Sequence, residues 1–233
     1  MSNTYFIAKK FINYQSKKSF AFKLRAKRAE RLKQLITEYF IKYGKVNIID
    51  IGGTKLYWNI IPESFLIENK VKIALVNLPS NQPLPENDDI FSFHNGDGCN
   101  LTNFTDKSFH IAHSNSVIEH VGNDENRIKF ANEIKRVAET YYLQTPNFWF
   151  PVEPHFVTPF FHWLPVSVRI WLLLHFNLGW FLKATDKKQA QSHIDGHRLL
   201  SKRELLALFP NTVLHREWFI LFIKSFTVIG KNN

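Results

Sequence analysis

Apolar and polar residues alternate along the chain in blocks whose lengths are typical of strands and helices. Short, almost continuously apolar segments predict buried strands at Val46–Ile51, Val71–Leu78, within Asp89–Asp97, at Ser108–Val117 and at Glu139–Asn147. Helical spacing of apolar residues predicts helices over Leu24–Tyr43 and about Asp124–Ala138. Strands that alternate with helices indicate an α/β fold with a mostly parallel sheet covered on both faces.

Capping and helix-ending residues mark three helix boundaries in the sequence. Gly44 follows the first helix, at the position where a glycine commonly ends a helix. Ser201 and Glu204 have the spacing of a capping box, and the helix that they start is expected to end at Pro210. In the helix that begins at Asp124 we expect Ile128 on the buried face, with Ala131 and Ile134.

The last part of the chain departs from the alternating pattern. Thr212–Gly230 predicts two adjacent strands with a tight reversal, hence an antiparallel hairpin. Residues 151–196 form an insertion rich in aromatic and aliphatic residues, which leaves three interpretations open: a helical lid over an active site, an oligomer interface, or a segment that dips into a membrane surface. A lid is the default, because an insertion after a parallel strand lies at the ligand-binding edge of the sheet. Its most apolar run, Ile170–Leu182, is too short to span a bilayer.

Composition and charge refine this picture. The 233 residues are 45% hydrophobic and 21% charged, which fits one compact domain with an insertion. Residues 1–40 contain ten lysines and arginines against two glutamates, and so carry most of the net charge of +10. We therefore divide the chain into a basic helical arm, residues 1–44, and a main domain, residues 45–233. Such an arm suits nucleic acid, an anionic membrane or a phosphorylated substrate, or is simply the solvated face of an amphipathic helix.

Cysteine usage and the N-terminal residues give the expected location. Cys99 is the single cysteine, which excludes an intramolecular disulfide framework and a cysteine-based structural zinc site. Residues 1–15 lack the apolar core and the cleavage site of a signal peptide. We expect a cytoplasmic protein, with peripheral contact to the inner membrane surface through the basic arm and the aromatic lid.

Polar residues and glycines cluster where the first three strands end. Asp50 lies at the end of the first strand, before Gly52 and Gly53; Asn77 ends the second strand, and Asp97 follows the third. The carboxyl ends of parallel strands share one edge, which is where such sheets bind their ligands. Glycines allow the backbone to approach a ligand, an amide can bond ribose hydroxyls, and a carboxylate can accept from an adenine amino group.

These residues and two further strings resemble the class I S-adenosylmethionine-dependent methyltransferases, close to the small-molecule branch that includes the ubiquinone-biosynthesis type. "FTDKSFHIAHSNSVIEHVG", Phe104–Gly122, resembles the fourth-strand motif of that family, and "EIKRVAETYYLQTPN", Glu133–Asn147, resembles the helix and strand that follow. The resemblance covers about Asn47–Asn147 and implies a Rossmann-like seven-stranded sheet that ends in the hairpin.

The resemblance implies S-adenosylmethionine as the cofactor, with several departures from the family pattern. Thr54 and Leu56 stand where glycines are usual, Asn77 replaces a carboxylate, and His110 replaces an aspartate. The Thr54 hydroxyl can serve the methionine carboxylate, and none of the changes closes the site. The expected cofactor-binding residues are Asp50, Gly52, Gly53, Thr54, Asn77, Leu78, Asp97, Gly98, Cys99, Ser114 and Asn115.

Two histidines are the candidate catalytic residues. His120 follows the fourth strand and His155 follows the fifth, at the same edge of the sheet, where an imidazole could remove a proton from an acceptor hydroxyl. His110 and His113 lie within the fourth strand, where a structural role is expected. Some ubiquinone-type relatives carry a Glu-x-x-Glu-His metal string. Here only Glu119 and His120 match, because Ser116 takes the first position, so we expect no required metal.

The sequence is compatible with three classes of function. The leading hypothesis is O-methylation of a small or lipid-linked acceptor with apolar surface. The alternative is a protein that keeps the methyltransferase fold without turnover and binds a partner or a membrane surface; Thr54, Leu56 and Asn77 favour it. Nucleic-acid methylation has only the basic arm in its support, since the chain lacks an "NPPY"-like string.

Overall fold

The computed structural model describes residues 19–232 and contains one seven-stranded sheet flanked by helices. The strands of this sheet are β1 Val46–Ile51, β2 Val71–Asn77, β3 Phe91–Asn95, β4 Phe109–Asn115, β5 Ala138–Pro146, β8 Val213–Phe219 and β9 Phe222–Lys231. A separate pair, β6 Val152–Glu153 and β7 Thr158–Pro159, forms a small antiparallel sheet. The helices are α1 Phe20–Tyr43, α2 Lys55–Trp58, α3 Glu63–Glu68, α4 Asp124–Val137, α5 Val166–His175, α6 Lys187–Asp195 and α7 Lys202–Leu208.

The strand order is β3-β2-β1-β4-β5-β9-β8. Strands β1 to β5 are parallel, whereas β9 pairs antiparallel with both β5 and β8. The chain order therefore reverses between β1 and β4, which creates the crevice where open parallel sheets bind ligands. The predicted parallel sheet, its hairpin and the seven-stranded order are confirmed.

Alternate residues of the strands build two hydrophobic cores. Ile48 and Ile73 face the core that contains α1, whereas Ile49 and Val76 face the core of α4 and α7. This alternation follows from the pleat of a strand, which turns successive side chains to opposite faces. Ile128 of α4 is 52% exposed, so its expected place on the buried face is wrong. The buried residues of α4 are Arg127, Phe130, Ala131, Ile134 and Val137.

Helix α1 is an integral part of the sheet's core. Its buried side chains Ala29, Leu32 and Ile36 pack in one cluster with β1 and β2. Ser19 caps its first turn, and Gly44 ends it in the left-handed conformation with φ 69°, as the sequence predicts. Residues 1–18, which hold four of the ten basic residues of the arm, lie outside the described part of the chain.

The insertion at residues 151–196 has a small core of its own. Phe156, Phe161 and Leu173 are its most buried members, and α5 packs on α6 beside them. It contains two helices, a 3₁₀ turn and the β6–β7 pair, rather than helices alone. Within residues 19–232, every helix is too short or too polar to cross a lipid bilayer.

Candidate functional site

The loop after β1 requires both of its glycines. Gly52 has φ +75°, and a Cβ there would lie 2.5 Å from a methyl of Val117. A Cβ on Gly53 would lie 1.8 Å from Oδ2 of Asp50, which is inside van der Waals contact. Only glycine fits either position, which confirms the prediction that this pair makes the turn.

Asp50 is fully buried beneath this loop and holds it through side chains. Its carboxylate accepts hydrogen bonds from Nε1 of Trp58 at 2.8 Å and from Nδ1 of His113 at 2.7 Å. Nε2 of the same imidazole accepts from the Tyr57 hydroxyl at 3.2 Å, and burial raises the pKa of that phenol. Both carboxylate oxygens are therefore bonded within the protein. Asp50 therefore supports the loop from below, and its predicted cofactor contact stays a prediction.

Two further residues of β4 also have structural roles. Ser114 is buried and donates its hydroxyl hydrogen to the carbonyl of Ile51 at 3.1 Å, and its predicted cofactor contact stays a prediction. Nδ1 of His110 accepts from the amide of Asn47 at 2.9 Å, and its ring stacks on Tyr43. The structural roles expected for His110 and His113 are confirmed.

The exposed part of the edge carries unsatisfied hydrogen-bonding capacity. Asn77 donates from Nδ2 to the carbonyl of Gly53 at 2.9 Å, which leaves its Oδ1 available as an acceptor. Asp97 accepts from the amide of Cys99 with Oδ1 at 2.9 Å and is exposed. Thr54 is exposed and caps α2. The exposed edge therefore offers an amide oxygen and a carboxylate as hydrogen-bond acceptors.

The remaining residues of the predicted cofactor set frame this edge. Leu78 is 67% exposed and offers an apolar surface beside Asn77. Gly98 packs tightly, because a Cβ there would lie 2.6 Å from the ring of Phe130. Burial, followed by the charge of Asp97, raises the pKa of the Cys99 thiol to about 11. The thiol therefore stays protonated at neutral pH.

Asn115 is reached from an unexpected direction. Arg28 of α1 is buried, donates from Nη2 to Oδ1 of Asn115 at 2.8 Å, and pairs through Nη1 with Glu217 of β8 at 2.9 Å. One guanidinium thus joins α1, the end of β4 and the C-terminal hairpin. No local sequence pattern predicts this contact, because the three residues that it joins are far apart along the chain.

Three histidines meet beyond the ends of β4 and β5, and we call them the histidine cluster: His120, His155 and His197. The ring centroid of His120 lies 4.7 Å from that of His155 and 4.8 Å from that of His197, and the last two lie 4.7 Å apart. The fold thus brings together the two predicted catalytic histidines and adds a third, from the segment after α6. The sequence offered no spacing that would have selected His197.

Each imidazole of the cluster is oriented through Nδ1. His120 donates to the carbonyl of Gly196 at 3.0 Å, and His197 donates to the carbonyl of His193 at 2.7 Å. His155 donates to the carboxylate of Glu153 at 2.7 Å, and that carboxylate also accepts from two backbone amides. Because carbonyls and carboxylates only accept, Nδ1 carries the proton in all three rings, and Nε2 keeps a lone pair whenever the ring is neutral.

The electrostatics of the cluster separate its two predicted bases. Burial, then repulsion from His155, lowers the pKa of His120 to about 4, so this ring is neutral at pH 7. Burial also acts to lower the pKa of His155, but the hydrogen bond and charge of Glu153 outweigh it, and the pKa is raised. His155 is therefore the stronger proton acceptor of the pair.

Glu119 lies directly beside the cluster and is fully buried. Its Oε2 accepts from the Thr145 hydroxyl at 3.0 Å, whereas Oε1 has no hydrogen-bond partner among the described residues. Burial raises the pKa of this carboxyl to about 7. One ligand atom from each of Glu119, His120 and His155 lies within 4.8 Å of the others.

Comparison with known proteins places the chain by sequence and by fold. Residues 67–140 match the profile of the Methyltransferase domain family. An uncharacterized protein of Mycobacterium tuberculosis is 30% identical over 73 residues, which cover 31% of this chain and 25% of that protein. The chain thus matches about a quarter of the length of this curated relative.

Solved structures share the fold at low sequence identity. The PH0226 protein from Pyrococcus horikoshii superposes with a TM-score of 0.52 and 15% identity and covers 100% of both chains. The CurJ carbon methyltransferase superposes with a TM-score of 0.55 and 10% identity, over 95% of this chain and 57% of that chain. At such identities the likeness concerns the fold, which agrees with the strand order and the matched domain. Over residues 67–140 the chain thus resembles a methyltransferase domain in sequence, and as a whole it shares the fold of these solved structures.

Proposed function

We propose that the protein methylates a small or lipid-linked acceptor, at oxygen, with S-adenosylmethionine as the methyl donor. The observation that carries this proposal is the arrangement at one edge of the sheet. The glycine turn with the exposed Asn77 and Asp97 stands at the ends of β1 to β3, and the histidine cluster stands beyond the ends of β4 and β5. A donor site and a proton acceptor at adjacent strand ends suit the transfer of a methyl group to a hydroxyl.

The residues that would hold the cofactor are those of the exposed edge. Asn77 would bond the ribose hydroxyls, Asp97 the adenine amino group, and Thr54 the methionine carboxylate, over the backbone of Gly52 and Gly53. When bound, the cofactor supplies a methyl group on a sulfonium, and this group carries the difficult chemistry.

The protein's own part is to position the acceptor and to take its proton. Nε2 of His155 is the acceptor of that proton, since Glu153 both orients the ring and stabilises its charged form. His120, neutral at pH 7, orients the hydroxyl as a second hydrogen-bond acceptor. The insertion at residues 151–196 supplies His155 and the surface that excludes water.

Exposed apolar side chains favour an acceptor with apolar surface. The insertion carries Phe160, Trp163, Trp171, Trp180 and Leu182, and Trp149 lies just before it in the chain. The hairpin carries Trp218, Ile220, Leu221 and Phe222. The two groups are joined through Phe150, whose ring centroid is 6.1 Å from that of Phe219. Such a surface, with the basic arm, suits an acceptor presented at an anionic membrane. Cosedimentation with anionic vesicles, lost on replacing Leu221 by Glu, tests that part.

The decisive test of the donor site is a calorimetric titration with S-adenosylmethionine. Asp97→Ala removes the carboxylate after β3, and Asp89→Ala, an exposed aspartate before the same strand, is the matched control. We expect micromolar binding by the wild type and by Asp89→Ala, and at least tenfold weaker binding by Asp97→Ala. A folded wild type that does not bind would instead support the alternative, a protein that keeps this fold without turnover.

The proton acceptor needs a second test. Replacing His155 by Ala should lower kcat by about 10²–10⁴-fold and leave cofactor affinity unchanged. Replacing His175, an imidazole on α5 outside the cluster, should change neither. An unchanged kcat in His155→Ala would refute the assigned role.

A further inference from the structure

The geometry of the histidine cluster is that of a ligand shell. An imidazole bound to zinc through Nε2 has its ring centre roughly 3 Å from the ion, so that the ring centres of three such ligands lie roughly 5 Å apart. The three rings here are separated by 4.7–4.8 Å. The rings come from three separate segments, so no local turn imposes this spacing.

The hydrogen bonds of the rings point the same way. Ligand histidines typically donate their second N–H to a carboxylate or a backbone carbonyl, which fixes the tautomer and the ring orientation. Here His155 donates to Glu153, and His120 and His197 donate to backbone carbonyls. Within residues 19–232, no protein group hydrogen-bonds Nε2 of any of the three rings, so three nitrogen lone pairs remain available.

Glu119 is the independent observation that calls for a cation. It is fully buried, yet its Oε1 has no hydrogen-bond partner among the described residues. A buried acceptor without a partner is destabilising, and more so when the group is charged. A cation would satisfy this oxygen, and one carboxylate oxygen of Glu119 lies within 4.8 Å of a ring nitrogen of His120 and of His155.

We propose that Glu119, His120 and His155, whose ligand atoms lie within 4.8 Å of one another, bind a first-row transition-metal ion such as Zn²⁺. The ring of His197 packs against both imidazoles. Imidazole donors favour zinc and its neighbours in the first row, whereas Mg²⁺ and Ca²⁺ require oxygen ligands. Two carboxyl groups, those of Glu119 and Glu153, lie beside the imidazoles and could offset the charge of a divalent cation.

This proposal revises the sequence-based expectation that no metal is required. That expectation counted two ligands, Glu119 and His120, because Ser116 stands where a relative's string has a carboxylate. The fold supplies a third donor from the insertion, and this donor is the imidazole of His155. The ion expected here therefore differs in class from the hard cation that a carboxylate-rich string would bind.

Metal binding can be measured without cofactor or acceptor, so the site is tested apart from the proposed methyl transfer. With the ion bound, Nε2 of His155 would be a ligand, and the proton-acceptor role proposed for it would apply to the metal-free protein only. The experiment is a calorimetric titration of the metal-stripped full-length protein with ZnCl₂, with CoCl₂ as a spectroscopic reporter and MgCl₂ as a comparison. We expect one equivalent of Zn²⁺, a visible absorption spectrum of tetrahedral Co²⁺, and no heat from Mg²⁺. Bound Zn²⁺ should also raise the midpoint of thermal unfolding.

Variants separate the cluster from adventitious binding. Glu119→Gln and His155→Ala should each weaken Zn²⁺ binding at least 100-fold, and Glu153→Gln, which removes an orienting partner, should weaken it about 10–100-fold. His175→Ala is the matched control and should bind like the wild type. If Glu119→Gln does not fold, His155→Ala, which replaces a half-buried side chain, still decides the question.

Two results would overturn the site. A wild type that binds no Zn²⁺ leaves the imidazoles as proton acceptors only. Stoichiometric binding that persists in both Glu119→Gln and His155→Ala would place the ion elsewhere in the protein.

Discussion

The buried guanidinium of Arg28 offers the sharpest test of how the N-terminal helix is integrated into the fold. Its Nη1 lies 2.9 Å from Glu217 Oε2, and its Nη2 lies 2.8 Å from Asn115 Oδ1. Its backbone carbonyl accepts from the Tyr142 hydroxyl at 3.0 Å. Replacing Arg28 by Met keeps most of the side-chain volume and the backbone contact, and it removes both guanidinium bonds.

The expected loss follows from what remains after the substitution. Breaking a buried ion pair from one side costs about 3–5 kcal/mol, because the other charge is left without its partner. Glu217 keeps Lys224, whose Nζ lies 3.3 Å from Oε1, so the lower end of that range applies. A loss of about 3 kcal/mol in a protein of this size lowers the midpoint of thermal unfolding by roughly 6–12 °C.

Urea unfolding followed by circular dichroism measures this change. Lys27→Met, at the exposed neighbouring position of α1, is the control and should alter the free energy of unfolding by less than about 0.5 kcal/mol. The double variant Arg28→Met/Glu217→Leu should recover much of the loss, because it leaves no unpaired carboxylate. A loss below about 1 kcal/mol in Arg28→Met would contradict the expected cost of breaking this ion pair and would favour a helix α1 that is only loosely attached.

Three further predictions concern the edge of the sheet. Gly53→Ala should abolish cofactor binding, because its Cβ would lie 1.8 Å from Asp50. Gly44→Ala has open space around its Cβ and should cost only the roughly 1 kcal/mol of a strained φ. Equal cofactor binding by the two variants in calorimetry would contradict this. With a pKa of about 11, the Cys99 thiol of the folded protein should react with iodoacetamide at pH 8 on the order of 100-fold more slowly than in the urea-unfolded chain. Mass spectrometry measures the rate of alkylation, and a rate that stops rising with pH below pH 10 would be inconsistent with that pKa. The hydrogen bond from Lys55 lowers the pKa of the Asp88 carboxyl to about 2. The stabilising effect of the ionised carboxylate is therefore present above about pH 4 and is lost as the pH falls toward 2. The unfolding curves of the wild type and Asp88→Asn should converge over that interval.

Most of the fold could be predicted from the sequence because local patterns of apolar residues and helix caps determine where its strands and helices lie. Continuous apolar segments located β1, β2, β4 and β5 to within one or two residues, since strands buried on both faces must be apolar throughout. Caps located the ends of α1 and α7 for the same local reason. Ile128 was misplaced because apolar spacing alone did not show that Arg127, not Ile128, turns toward the core.

The candidate site was predictable only where a residue's role depends on its own position along a strand. Asn77 and Asp97 lie exposed at strand ends, as expected. Asp50 and Ser114 lie at strand ends too, but their partners come from other segments, and these partners withdraw their polar atoms from the edge. His197 joins the cluster through a contact across more than 70 residues of chain, which no local spacing encodes.

The buried network beneath the glycine turn has a consequence for how this loop can vary in sequence. In a loop whose shape depends on its own backbone, each glycine is indispensable, and replacing one alters the whole turn. Here Asp50, Trp58 and His113 hold the following helix from below, so the turn needs only its first two glycines. Positions 54 and 56 are thereby released for a helix cap and an exposed leucine. A search for such proteins that demands the full glycine spacing would pass over a chain like this one, whereas a search for the buried carboxylate with its indole and imidazole partners would find it.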